Sequence, residues 1–110
     1  MSKIFPGEFE QMVLLAVLQV GEDGYALAVR REIQEKAQRP VSRGALYRTL
    51  DRLEGKGFLA WDLEEESPER GGHPRRRFRV TEAGVAALRT SRQALSNLWD
   101  GLESVLGDKP

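Results

Sequence analysis

The chain has 110 residues, a length that suits one domain, and its 17 basic and 17 acidic side chains cancel to a formal net charge of zero. It holds no cysteine, which excludes a disulfide framework and thiolate chemistry and makes a reducing cytoplasm the expected setting. The longest apolar run, Met12 to Leu18, is far too short to cross a bilayer, and the first residues lack the basic segment and apolar core of a leader, so neither membrane insertion nor secretion is expected.

Residues 8 to 20 read as a first helix, apolar on most sides through Phe9, Met12, Val13, Leu14, Leu15, Ala16, Val17 and Leu18. Such a helix is usually buried, here with a second chain as a candidate for part of its cover. Gly21 to Gly24 is a turn. A second helix is expected from Tyr25 to about Ala37, with Ala26, Val29, Ile33 and Ala37 on one side and Arg30, Arg31, Glu32 and Lys36 on the other. Pro40 bars it from running into the next helix.

Val41 to Gly57 carries the signals of a third helix. Ser42 stands at the N-cap, Leu46, Leu50 and Leu53 form a narrow apolar stripe with Thr49 beside it, and Gly57 supplies a left-handed stop. The opposite face carries Gly44, Arg48 and Asp51, flanked by Arg43, Tyr47 and Arg52. A Gly in the first turn lets another backbone approach a helix end that attracts anions, and Arg and Tyr beside it suit phosphates and base edges. An ordinary packed helix with solvated arginines is the plain alternative.

After Gly57 the period falls to two. Leu59, Trp61 and Leu63 share one face of an expected strand over residues 58–63. A polar, turn-rich stretch comes next, and Arg75 to Val80 returns as a second strand, alternating Arg75, Arg77 and Arg79 against Arg76, Phe78 and Val80. Thr81 then caps a last helix expected to reach about Leu106, roughly 38 Å long. Leu88, Leu95, Leu98, Trp99, Leu102, Val105 and Leu106 recur along it on a near-heptad seam that the short helices are too small to cover. A homodimer formed through this helix is expected; the alternative is that it folds back on the first helix. Arg92 interrupts the seam and could pair with an acidic residue of a partner.

Charge is unevenly placed. Arg30, Arg31, Lys36, Arg39, Arg43, Arg48 and Arg52 outnumber acids in the middle, and Arg70, Arg75, Arg76, Arg77 and Arg79 stand together later, while Glu8, Glu10, Glu22, Asp23 and the stretch from Asp62 to Glu69 concentrate acid. A neutral molecule with a locally basic face can still bind a polyanion. Three helices, a hairpin and a long helix make a mostly helical α+β chain with the order of a winged helix-turn-helix (residues 1–81) and an added dimerisation helix (residues 82–110). In that motif the third helix enters the major groove of double-stranded DNA and the hairpin, the wing, flanks it.

The segments GEFEQMVLLAVL, YALAVRREI, VSRGALYRTLDRLEGKGFL and ERGGHPRRRFRVTEAG resemble the PadR family of transcriptional regulators, in its short subgroup with a single C-terminal helix. The resemblance spans most of residues 7 to 84. It implies a homodimeric DNA-binding repressor, commonly released by a small molecule, with Ser42, Arg43, Gly44 and Tyr47 at DNA and Gly71, Gly72 and the following arginines, Arg75, Arg76 and Arg77, in the wing. Ala26 stands where the family usually has Gly after the Tyr, and Arg77 where an aromatic is frequent.

Within this frame Arg48 is a candidate base reader, Tyr47 either reaches DNA or covers the helix flank, and Asp51 is expected to pair with Arg48 or Arg52 and orient them. Alternation cannot point Arg75, Arg76 and Arg77 the same way, so one or two are expected at phosphates. Trp99, with Leu95, either fills a dimer core or holds a flat aromatic effector. His73 and the run Glu64–Glu66 carry no metal-ligand pattern, and no cofactor is expected. With one His, no Gly-rich phosphate loop and no framed acid–base pair, an enzyme is not expected. A winged-helix module that binds protein instead of DNA is the competing function.

Overall fold

In a computed structural model, residues 5–64 and 74–107 are described. The order is helix α1 (Glu8–Val20), a 3₁₀ turn (Gly21–Asp23), helices α2 (Ala26–Lys36) and α3 (Arg43–Gly55), strands β1 (Leu59–Glu64) and β2 (Arg75–Val80), helix α4 (Glu82–Trp99) and a final 3₁₀ turn (Glu103–Leu106). The two strands form one antiparallel sheet in which Leu59 faces Val80, Trp61 faces Phe78 and Glu64 faces Arg75. The expected element order holds throughout.

The core lies where the helices meet the root of the hairpin. Val13, Leu14 and Val17 of α1, Val29 and Ile33 of α2, Leu46, Leu50 and Leu53 of α3, Leu59 and Phe78 form one buried cluster. Each fully buried aliphatic or aromatic side chain contributes about 1.5–3 kcal/mol, so this cluster is the main source of stability. The ends of α3 arise from its sequence. The Ser42 hydroxyl accepts from the Ala45 N–H at 3.1 Å. Gly57 takes φ +81, and the Phe58 N–H returns to the Leu53 carbonyl at 2.9 Å, closing the helix as a left-handed glycine cap does.

One expectation is corrected. The last helix stops at Trp99, well short of Leu106: Gly101 takes φ +85 and the chain turns, so α4 has 18 residues and is about 27 Å long. Leu88 is half-buried: it packs against the core of its own chain and lines a groove with Leu95 and Trp99. On the face shared by Leu59, Trp61 and Leu63 only Leu59 is buried; Trp61 lies under the Arg76 guanidinium and Leu63 is exposed.

Two close contacts hold the hairpin to the helices. The Phe78 N–H donates to the Gly24 carbonyl at 2.7 Å, and a Cβ on Gly24 would stand 2.3 Å from the Phe78 oxygen. At the other end the Thr81 hydroxyl caps α4 through the Gly84 N–H and donates to the Gly57 carbonyl at 2.6 Å.

A buried acid joins the start of α1 to the end of α3, a tie that apolar periodicity does not reveal. Glu10, 6% exposed, accepts from the Gly7 N–H at 2.8 Å and from the Lys56 ammonium at 3.0 Å, with Arg52 at 3.8 Å. Burial alone would push its carboxyl up; the Gly7 N–H, Lys56 and Arg52 together outweigh that and hold it below the usual glutamate range.

Gly24→Ala is expected to lower the unfolding free energy by about 1–3 kcal/mol in urea, because the atoms nearest a Cβ there are backbone that cannot step aside. Gly55→Ala, in a helix with nothing within 4 Å, is expected to raise it by about 0.4–1 kcal/mol. Since Glu10 is depressed in the folded state, its contribution is complete above the unfolded glutamate pKa of about 4.3 and is lost as pH falls through the lower folded value. Glu10→Gln is therefore expected to cost about 1–3 kcal/mol at pH 7 and to flatten the loss of stability below about pH 4, as read by urea melts across pH.

Candidate nucleic-acid interface

The α3 surface divides cleanly. Leu46, Thr49, Leu50 and Leu53 are buried, and the opposite side exposes Ser42, Arg43, Gly44, Tyr47, Arg48 and Asp51. Gly44 leaves the first turn bare: a Cβ there would meet only the tip of Arg48, 3.1 Å from Nη1. The arginine thus lies back across the space a side chain would fill. Helix N-terminus, bare turn and guanidinium face the same solvent.

Following each cation to its partner separates those that build the fold from those that do not. Arg30 donates to the Val41 carbonyl at 2.6 Å and fixes the turn before α3. Lys36 pairs with Glu32 at 2.8 Å. Arg39 pairs with Glu8 at 3.5 Å and lies over the Phe9 ring. Arg52, one of the residues expected at the ligand, leans toward Glu10 on another side of the helix. Arg43 and Arg48 form no ion pair with any described residue. The net charge of zero therefore conceals a local surplus on α3.

The wing root stands beside that face. Asp51 pairs not with Arg48 or Arg52, as expected, but with Arg76 of β2 at 3.4 Å. The Arg76 guanidinium also covers the rings of Trp61 and Phe78, at 5.2 and 5.1 Å. Arg75 pairs with Glu64 at 3.3 Å and stacks 3.6 Å from the centroid of Tyr25, the residue that opens α2. A hydrogen bond to the Glu64 carboxylate, then partial burial, pushes the Tyr25 phenol pKa up. Arg79 pairs with Asp62 at 2.8 Å, and Arg77 stands opposite Asp62 in the register and is exposed. Tyr47, exposed on α3, lines one cleft with Tyr25, Leu27, Leu63, Arg75 and Arg76. The recognition-type helix, the start of α2 and the wing root thus share a surface, whereas Gly71, Gly72, His73, Glu65 and Glu66 lie outside the described residues.

Away from this surface, Leu15 and Leu18 of α1 and Leu95, Leu98 and Trp99 of α4 are exposed, with Leu102, Val105 and Leu106 exposed beyond the helix end. Trp99 is 43% exposed, so it is not core within one chain. Among the described residues no group of acidic or imidazole side chains is arranged to hold a metal, and no helix is long and apolar enough to cross a membrane.

Comparison with known proteins identifies the arrangement. The pattern of the Transcriptional regulator PadR-like family matches residues 14–90. The transcriptional regulator Rv3488 of Mycobacterium tuberculosis is 47% identical over 58 residues, which make up 53% of this chain and 50% of that protein, so the match spans half of the relative's length. A PadR-like transcription factor from Bacteroides fragilis superposes with a TM-score of 0.72 at 25% identity, over 88% of each chain. A PadR family regulator from Eggerthella lenta gives 0.68 at 27%, over 93% of this chain and 88% of the other. The winged-helix DNA-binding protein F93 from STIV shares the fold alone, with a TM-score of 0.63 at 19% identity over 80% of this chain and 87% of its own. Since the family pattern runs from α1 through the helix-turn-helix and wing into the first half of α4, the chain belongs to the PadR-like family of transcriptional regulators, DNA-binding proteins and not enzymes.

Proposed function

We propose that the protein is a repressor that works in the cytoplasm as a homodimer on an inverted-repeat operator. In this reading α3 enters the major groove, Ser42, Arg43, Gly44 and Tyr47 meet the DNA at its first turn, Arg48 reads a base, and the wing, with Gly71, Gly72 and the Arg75–Arg77 run, tracks the flank. The observation that carries it is the sorting of cations: Arg43 and Arg48 are the α3 arginines without an ion pair among the described residues, and they stand on its open face beside Gly44. A protein-binding winged helix has no need of a bare, unpaired basic turn there.

Dimer formation is supported by shape and by apolar exposure. The radius of gyration is 16.1 Å, against about 13 Å for a compact chain of this length, and the longest dimension is 54 Å. The second half of α4 is exposed along most of its length and carries Leu95, Leu98 and Trp99. Leu95 and Trp99 continue into Leu15 and Leu18 of α1 along a groove of about 480 Å³. Burying such side chains at about 1.5–3 kcal/mol each offsets the cost of association at micromolar concentrations. A second copy laid on this groove would close it, and a flat aromatic effector between Leu95 and the Trp99 indole would then change the spacing of the two α3 helices and release the DNA.

Replacing Arg43 and Arg48 together with Ala is expected to abolish retention of operator duplex in a gel shift while leaving the dimer mass by light scattering unchanged. Unaltered retention would remove both residues from the interface. Wild-type affinity is expected to fall by orders of magnitude between about 50 and 200 mM salt, as the neutralisation of several phosphates requires. A flat response would favour a protein partner.

A further inference from the structure

Resting on the DNA-binding reading, we infer that Arg75 and Arg76 are positioning residues that clamp the wing to the two DNA-facing helices, and that they are not phosphate ligands. The sequence alone puts three adjacent arginines at the wing and cannot sort them. In the fold two of the three are engaged on the protein itself. Arg76 is half-buried: its guanidinium spans from Asp51 of α3, at 3.4 Å, to the rings of Trp61 and Phe78. Arg75 is held between Glu64 and the face of Tyr25, with the ring centroid 3.6 Å away. One arginine therefore ties β2 to α3, and the other ties it to the start of α2.

The backbone makes the same connection once more, through the Phe78 N–H and the Gly24 carbonyl at 2.7 Å. These three ties fall within four residues of β2, at the root of the wing. Turning either guanidinium out to a phosphate would break an ion pair and uncover an aromatic ring. Planarity matters for both, since a flat guanidinium can lie along an aromatic ring while reaching a carboxylate at its edge, which a compact ammonium cannot do. Asp51 thereby acquires a role. A carboxylate on the face of a helix that approaches DNA repels phosphates, and its use here is to hold Arg76. Arg77, on the outer side of the strand and facing Asp62 only through the register, is the member of the run left to meet the backbone of DNA.

The test uses the duplex that the wild-type protein selects from a random-sequence pool, with affinity measured across salt. Arg76→Gln, Arg76→Lys and Asp51→Asn are each expected to weaken binding by about five- to thirtyfold, as a coupling lost once in each protomer would do, with the slope of log affinity against log salt unchanged. The double variant Asp51→Asn/Arg76→Gln is expected to bind no worse than Arg76→Gln alone, because the two groups act through one contact. A slope reduced by about 0.9 per lost contact in Arg76→Gln, with Arg76→Lys binding like wild type, would make Arg76 a phosphate ligand and overturn the clamp. Tighter binding by Asp51→Asn would do the same, since it would leave Asp51 as a repulsive charge only. Asp51 is exposed, so its variant folds whatever the fate of the arginine variants. Failure of the wild type to select any duplex would instead remove the DNA-binding reading itself.

Discussion

The placement of Phe78 governs the rest of this molecule. Its ring is among the largest fully buried side chains and its N–H is bonded to Gly24, so the returning strand of the hairpin is fixed at once to the core and to the turn before α2. Gly24 has no room for a side chain, which means the approach is made by backbone against backbone. With the strand held there, its neighbours in sequence have little choice. Arg76 and Val80 share the inward face with Phe78, Arg75, Arg77 and Arg79 turn away, and β1 is carried into register beside them. The third helix is held independently, by Leu46, Leu50 and Leu53 beneath it and by Glu10 at its far end through Lys56. A recognition helix and a wing therefore meet at a set angle because both are anchored to one core.

The same packing explains how a chain of zero net charge can present a basic surface. Arg30, Lys36, Arg39 and Arg52 are turned to carbonyls, carboxylates or rings of the protein, and Arg75, Arg76 and Arg79 are matched by acids in the hairpin and on α3. The surplus on the open face of α3 is Arg43 and Arg48. Surface ion pairs contribute little to stability one by one. Their larger effect here is on the field, because on α3 they leave Arg43 and Arg48 uncompensated on the side opposite its buried leucines.

The features legible in the sequence are local ones. Ser42, the leucine stripe and Gly57 delimit α3 because capping and periodicity act within a few residues, and the hairpin is visible in the change of period after Gly57. The end of α4 is also marked locally: Asp100–Gly101 is a stop signal, but the apolar residues after it imitate a helix that continues. Glu10 carries a signal too, since it falls with Val13, Leu14 and Val17 on one helical face, an acid in a buried stripe three residues after Gly7. The partner of Asp51 is not legible, because Arg76 is brought to it only by the register of a hairpin whose loop length does not determine where β2 docks. The exposure of Trp61 and Leu63 is hidden for the same reason: alternation identifies a face but does not say how far the covering helices reach.

We propose that two copies of this chain set a pair of α3 helices one turn of duplex apart. Hydroxyl-radical footprinting on the selected duplex, with the bound mass measured on the same complex, tests it most directly. Two protected patches related by a dyad are expected, their centres about 34 Å apart along one side of the helix, under two chains. A solitary patch under one chain, or two patches without dyad symmetry, would contradict it.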